Sequence, residues 1–341
     1  MIRCEMTDKT IISIVLAVRN EERIIEGCLH SLLAQKLNEA YSLELLVIDG
    51  LSTDNTAAIV RDISEKHPGQ VILIPNEKKI TPVAFNLGIQ SATGDYIGIF
   101  GAHNEYADNY IQTCVDQISE VGADGCSGLV ISKMADESSE AELCNQLLSS
   151  PIGVSGNSFR TRGSGFAETI PYGIFKREVF EAVGPYNEAL IRNQDNDMNY
   201  RINKKGFRLF MTDKTYTYYF PKQRLKPLIN YAFNTGFWNA RTLILGSFSM
   251  RLMHFIPFFF VLYLLLVLLF IVGSSLIGYG FISLIALLPL LLYFGLVHYY
   301  NQKNEFRFKE NYNRFFSAIF KFHWNYGLGT LMGFFNLKIK S

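Results

Sequence analysis

The chain has 341 residues, and its 32 Lys+Arg and 31 Asp+Glu leave a formal net charge of +1. That length exceeds one small domain, and the balanced charge, with no clustered basic run, excludes a polyanion-binding surface of the nucleic-acid type. Five cysteines (Cys4, Cys28, Cys114, Cys126 and Cys144) form no C-x-x-C pair, which argues for a reducing compartment and against a disulfide framework or zinc site. Residues 1–10 are polar and the apolar run behind them is cut short at Arg19, so no signal peptide is expected.

Residues 11–18 (IISIVLAV) are continuously apolar and β-branched, as suits a strand covered on both faces. RNEE follows, then a helical pattern through Ile25, Leu29, Leu32 and Leu33. Residues 43–48 predict a second strand, ending in Asp49-Gly50, and Ser52, Thr53, Asp54 and Thr56 offer an N-cap for a helix to about residue 66. Strands at 71–74 and 96–100, helices at 81–91 and 110–121, and a further strand at 124–131 complete the alternation. Such alternation gives a mostly parallel sheet with helices on both faces, and ligands then bind beyond the carboxyl ends of the strands. Residues 19–22, 49–54 and 103–105 would converge there. Neither a G-x-G-x-x-G nor a Walker lysine motif is present.

Residues 132–170 read as loop and short helix, and 171–184 as a buried turn followed by a short helix. In LIRNQDNDMNYRINKKG (residues 190–206), Met198 and Ile202 fall four apart behind Asp195 and Asp197. A helix whose first turn carries carboxylates is expected there. The pair serves either as helix caps or to hold a carboxylate against a substrate hydroxyl. Short strands are expected at 207–211 and 216–220.

From Leu252 to Gln302 there is no Lys, Arg, Asp or Glu. One span needs about 20 apolar residues, so two transmembrane helices are expected, at about 255–272 and 281–300. Arg241 and Arg251 before them, and Lys303, Arg307, Lys309 and Arg314 after, place both ends in the cytoplasm. Residues 225–245 read as an interfacial helix with Trp238 at headgroup level. Residues 313–337 read as interfacial or re-entrant. The expected organisation is an α/β domain over 1–220, an interfacial region over 221–252, two spans over 253–302 and a cytoplasmic tail over 303–341.

AVRNEE (17–22), VIDGLSTDNT (47–56), TPVAFNLGIQSATGDYI (81–97), GAHNEY (101–106) and NQDNDMNYRI (193–202) occur in that order. Together they resemble the family 2 glycosyltransferases, in particular membrane-attached bacterial enzymes of the succinoglycan and exopolysaccharide type. The resemblance covers about residues 10–220. It implies the α/β GT-A fold with a C-terminal transmembrane hairpin, a nucleotide-sugar donor (commonly a UDP-sugar), a divalent metal (Mn or Mg) and inversion at the sugar carbon. The acceptor it implies is linked to polyprenyl diphosphate at the inner, cytoplasmic membrane, among membrane lipid and other polysaccharide-assembly proteins, with no nucleic acid.

Carried over, Asp195 matches the catalytic base, and Gln194 stands where glutamate is usual. Val18 and Glu21 would lie at the base and ribose, Asp49 would bond the nucleobase, and Ala102 would lie at the donor. Arg201 falls where this subgroup has an arginine, and with Asp197, Arg224 and Trp238 it is placed on the acceptor side. Lys78 and Lys79 precede the 81–91 helix; either they reach the diphosphate or they are solvated. Arg160, Arg162, Arg224 and Arg241 are candidates for carrier-lipid phosphates. The family's metal motif is D-x-D or D-x-H, whereas this chain has Gly101-Ala102-His103. His103 is then the metal candidate, with Asn104 or Glu105 as helpers. The chemistry agrees with an enzyme: the departing diphosphate needs its charge neutralised, and the acceptor hydroxyl needs one base. A non-catalytic membrane subunit of the same fold is the rival reading, favoured by the lost aspartate. A transporter is disfavoured because the spans carry no charge.

Overall fold

A computed structural model of the chain describes residues 9–133, 138–150, 152–153, 163–220, 224–277, 283–303 and 312–336. It divides into two compact units, Met1–Lys133 with Phe159–Phe220, and Met134–Ser158 with Pro221–Ser341.

The first unit opens with β1 (Thr10–Val18), α1 (Ile25–Leu33), β2 (Tyr41–Asp49), α2 (Thr56–Lys66), β3 (Val71–Pro75), α3 (Thr81–Ser91) and β4 (Tyr96–Gly101). A tight turn leads to β5 (Asn104–Tyr106), α4 (Tyr110–Val121) and β6 (Gly125–Ser132). After the excursion through α5 (Ser139–Ser149), which clusters with the second unit, come β7 (Gly165–Ala167), β8 (Ile174–Lys176), α6 (Arg177–Val183), α7 (Gln194–Lys204) and β9 (Leu209–Tyr219).

The sheet runs β3-β2-β1-β4-β8-β6-β9-β5, with β7 beside β9. β3, β2, β1 and β4 pair in parallel, as the alternation of strands and helices requires. β8 is antiparallel to both β4 and β6, and β5 and β7 are antiparallel to β9, so the sheet is mixed.

β1 explains its own sequence. Ile12, Ile14 and Leu16 face one core, with Ile25, Leu29 and Leu32 of α1 and Ile111 and Val115 of α4. Val15 faces the other, with Ala84 and Phe85 of α3 and Met198 and Ile202 of α7. A strand buried on both faces has no solvent side, hence its apolar run; its one inner polar residue, Ser13, is buried and donates to Glu44. α3 lies so close on β1 that a Cβ on Gly88 would collide with Val15.

The two strands expected at 207–211 and 216–220 are one. β9 continues through Asp213 and Lys214 because the pairing with β6 shifts register between Gly128 and Leu129, from Thr212 to Tyr216. The bulge turns the charged pair outward without ending the strand.

The second unit holds α5, α8 (Leu225–Ile244), a 3₁₀ turn (Leu252–Phe255), α9 (Ile256–Leu276), α10 (Ser283–Ala286), α11 (Leu288–Lys303) and α12 (Tyr312–Phe334). Among the described residues one helix, Leu252–Leu276 with its 3₁₀ start, is long and apolar enough to cross a membrane. Within the second expected span one turn residue, Leu287, separates α10 from α11, whose second residue is Pro289, which has no N–H to continue the helix from α10. What remains apolar there, Leu288–Tyr300, is shorter than a span.

Over most of the expected 313–337 segment, Tyr312–Phe334 forms α12, which packs along α8. A Cβ on Gly236 would meet the Tyr326 carbonyl, one on Gly329 the Phe233 carbonyl, and one on Gly333 the Phe237 carbonyl. Backbones in contact require these glycines, and the G-x-x-x-G of residues 329–333 marks the seam.

Candidate active site at the carboxyl edge of the sheet

Register brings the first residues together. Val18 pairs with Asp49, Asp49 with Pro75, and Ala17 with Gly101, so the chain leaves β1, β2, β3 and β4 along one edge. Reciprocal bonds knit the two loops that follow β1 and β2. The Asn20 N–H donates to Ser52 Oγ (2.9 Å), and the Thr53 N–H donates back to Asn20 Oδ1 (2.8 Å). The Glu21 N–H donates to Thr56 Oγ1 (2.7 Å), the Glu22 N–H to Asp54 Oδ2 (3.2 Å), and the Asn55 N–H to Glu22 Oε2 (3.1 Å). Asn20 reaches this position with φ 56°, a left-handed conformation that asparagine tolerates better than most side chains. Asp49 is buried, and its carboxylate accepts from the Ser52 N–H (3.1 Å) and hydroxyl.

The β4–β5 turn carries Ala102 and His103. Ala102 is buried and His103 is mostly exposed. The Tyr106 hydroxyl accepts from the Gly101 N–H (3.0 Å) and donates to the Gly101 carbonyl (3.2 Å), closing the turn from beneath. His103 Nε2 lies 3.1 Å from Glu21 Oε1, and the Glu21 side chain is only 18% exposed. The other two metal helpers point elsewhere. Buried Asn104 donates to Thr217 Oγ1 (3.2 Å), and Glu105 pairs with Lys133 (3.6 Å). Among the described residues, no group of three or more His, Cys, Asp or Glu side chains could hold a metal ion. A carboxylate and an imidazole together still fit a divalent ion that takes its remaining ligands from phosphate and water.

The third part is the start of α7. Asn193, at φ 62°, turns the chain into the helix and sets Gln194 and Asp195 in its first turn. Asp195 is exposed at the surface, yet desolvation by the surrounding protein pushes its pKa up to about 6. At about 6 the group is mostly ionised at neutral pH. Its carbonyl accepts from Asn199 Nδ2 (2.8 Å). Burial, and then the charge of Asp195, push the Tyr186 hydroxyl well above its ordinary pKa. The Gln194 side-chain oxygen is buried without a hydrogen-bond partner.

Asp197 is buried and accepts from Arg201 Nε (2.8 Å), whose Nη1 and Nη2 donate to the carbonyls of Val183 (3.1 Å) and Pro185 (3.0 Å). The pair thus fastens the end of α6 to α7.

Contacts through the β3–α3 loop connect Asp49 to α7. The Asn76 N–H donates to the Asp49 carbonyl (2.8 Å), and the Lys79 N–H to the Asn76 carbonyl (3.2 Å). Lys78 Nζ holds Glu188 at 2.8 Å. Asn86 exchanges two bonds with the backbone of Tyr186 (3.0 and 2.7 Å), bracing the approach to α7. Lys79 itself is exposed, at φ 59°. Tyr106, Tyr172, Tyr186 and Asn76 support this edge and were not singled out from the sequence. Only the five-residue spacing from Gly101 to Tyr106 offered a cue.

In the second unit, Arg224 Nη1 pairs with Glu140 (3.2 Å), whose other oxygen accepts from the Leu225 N–H (2.8 Å), tying α5 to the start of α8. Trp238 is half-buried beside Phe237, with ring centroids 6.0 Å apart, and Arg241 is half-buried too. Arg160 and Arg162 lie outside the described residues. Two clefts of about 440 and 730 Å³ sit at the opposite, amino ends of the strands, lined by Thr10, Tyr41, Asp95 and Glu44 among others. They hold none of the residues above, and in such sheets ligands bind at the carboxyl ends.

Residues 13–184 match the model of glycosyl transferase family 2. The chain is 31% identical to the succinoglycan biosynthesis protein ExoA of Rhizobium meliloti (strain 1021), over 68% of this chain and 69% of that protein. It is 27% identical to the dolichyl N-acetyl-alpha-D-glucosaminyl phosphate 3-beta-D-2,3-diacetamido-2,3-dideoxy-beta-D-glucuronosyltransferase of Methanococcus voltae, over 74% and 80% of the two chains. In fold it is similar to the mannosyltransferase PcManGT from Pyrobaculum calidifontis, solved with GDP-Man and Mn²⁺, with a TM-score of 0.59, 16% identity and coverage of 95% and 88%. The chain therefore has the GT-A fold, belongs to glycosyl transferase family 2 and is a glycosyltransferase.

Proposed function

We propose that the chain moves a sugar from a nucleotide-sugar donor, a UDP-sugar in the first instance, to a lipid-linked acceptor in polysaccharide assembly, with inversion. The observation that carries this reading is Asp195: an ionised carboxylate at a helix start, poorly solvated yet open to an incoming group. Asp195 takes the proton of the acceptor hydroxyl as that oxygen attacks the sugar carbon and the bond to the diphosphate breaks. One base on one side of the sugar suits inversion, whereas two flanking carboxylates would suit hydrolysis. Val18, Glu21, Asp49 and Ala102 line the donor end, with Asp49 reading the base and exposed Lys79 near the phosphates. His103 faces the diphosphate. His103 would hold a divalent ion there, which would supply charge neutralisation for the leaving group. Asp197 and Arg201 act as positioning residues that hold the α7 start.

The apolar α9, followed by α10 and α11, would keep this unit at the cytoplasmic face of a membrane, where nucleotide sugars and a polyprenyl-diphosphate acceptor meet. Arg224, Arg241 and Trp238 of α8 then contribute headgroup contacts. Radiolabelled UDP- and GDP-sugars supplied to the full chain in lipid, with a membrane-lipid extract, test this. Label transferred to the organic phase supports it, and label released only as free sugar contradicts it. The rival, a fold-retaining subunit without turnover, is favoured by one observation, the absent carboxylate at Gly101. Donor binding without transfer under any acceptor would support that rival.

A further inference from the structure

We infer that Glu21, from the loop after β1, supplies the metal-binding carboxylate that position 101 lacks, and that it forms a two-residue divalent-cation site with His103. This rests on the transferase reading for its purpose, though not for its test.

Position 101 cannot supply the group as the turn is built. A Cβ on Gly101 would lie 2.8 Å from Tyr172 Cε1 and 3.2 Å from Asn104 Oδ1. Tyr172 is fixed, since its carbonyl accepts from the Tyr110 hydroxyl (2.9 Å) and its ring stands edge-on to Tyr106. Both backbone groups of Gly101 are taken by Tyr106.

Glu21 is placed to replace it, beside His103 rather than at the ribose where the family resemblance puts it. Its N–H is held by Thr56, and its own side chain is mostly buried. The carboxylate approaches the outward-facing imidazole from a different loop, leaving His103 more than half exposed on the open side. The oxygen–nitrogen separation of 3.1 Å matches two ligands at right angles on one ion, since bonds of about 2.1 Å put such ligands about 3 Å apart. Magnesium-type sites take one or two protein carboxylates and leave the rest to substrate phosphates and water. Two protein ligands are therefore enough for such a site. The imidazole favours Mn²⁺ over Mg²⁺.

The test is Mn²⁺ binding to the full chain in detergent, without nucleotide, read by electron paramagnetic resonance of the free ion and by ¹⁴N modulation from a ligating imidazole. The expected result is ¹⁴N coupling that is lost in His103→Gln, and affinity at least about tenfold weaker in Glu21→Gln. Asn104→Ala and Glu105→Gln should bind as the parent does. An Mn²⁺ affinity unchanged by Glu21→Gln, or no Mn²⁺ binding at all, overturns the assignment. Glu21-dependent binding in a protein that transfers no sugar would sink the transferase reading and leave the cation site standing.

Discussion

The ring of Tyr172 stands where a side chain on residue 101 would begin: a Cβ there would sit 2.8 Å from its Cε1. Tyr172 itself has φ 50°, a left-handed conformation that costs a non-glycine residue about 1–2 kcal/mol. The turn that carries His103 is thus shaped by a glycine and a strained tyrosine acting together. Gly101→Asp should lower stability by about 1–3 kcal/mol, as overpacking does. Trimming the ring in Gly101→Asp/Tyr172→Ala should recover less than the full loss, because the ring's own packing goes with it. Thermal melts of the full chain in detergent, read as a double-mutant cycle, check this. Additive losses would show that the two positions are independent.

Asp195 should set the pH dependence of transfer. Its folded pKa, about 6, lies above the ordinary carboxylate value, because protein atoms crowd it. A base must be ionised, so kcat/KM should fall as pH drops through about 6. The linkage has the opposite sign to that of a salt-bridged aspartate. The folded state holds this proton more tightly than the unfolded chain, so the group costs stability as pH rises from about 4 to about 6, and that cost persists above. Asp195→Asn should therefore be at least as stable as the parent at pH 7, with the difference vanishing below about pH 4. Melting curves across that range would show a reversed trend if the carboxylate were instead stabilised by a cation in the resting protein.

Arg201→Ala should damage folding before chemistry. It strands the buried Asp197 carboxylate and frees two carbonyls at the end of α6. Breaking such a pair costs on the order of 3 kcal/mol. Arg201→Lys should recover only part, since one ammonium cannot reach a carboxylate and two carbonyls as the guanidinium fork does. An unchanged melting temperature in the alanine variant would exclude this bracing role.

Gly329→Leu and Gly333→Leu should force α12 off α8, where their Cβ atoms would meet the carbonyls of Phe233 and Phe237. Loss of the folded, monodisperse species in detergent is the expected outcome, with Gly333→Ala milder than Gly333→Leu. Gly273, whose Cβ would meet nothing within 4 Å, serves as the control. Equal behaviour of all three positions would argue against backbone contact at the seam.

Much of the catalytic unit was legible because its strands are buried on both faces. A short β-branched run such as residues 11–18 suits a doubly covered strand, and the polar residues behind each run fall at one edge by topology. What could not be read depends on non-local closure. Whether His103 meets Glu21 is set by two loops from different strands, and Tyr172 reaches Gly101 from 71 positions away in sequence. The split of 207–220 into two strands failed because Asp213 and Lys214 look like a turn, while the bulge against β6 absorbs them. Within the second expected span, Pro289 is a local signal for the turn that separates α10 from α11. The role of Arg201 was open in sequence, since an arginine four residues after an aspartate suits both an internal pair and a ligand contact.

Release of nucleoside diphosphate from UDP- and GDP-sugars by the full chain in lipid, with a membrane-lipid extract as acceptor, most directly tests Asp195 as the base of a lipid-directed transferase. Acceptor-dependent release should fall by about 10²–10⁴-fold in Asp195→Asn, with donor binding retained. Release that persists in Asp195→Asn, or that is indifferent to the acceptor lipid, would contradict it.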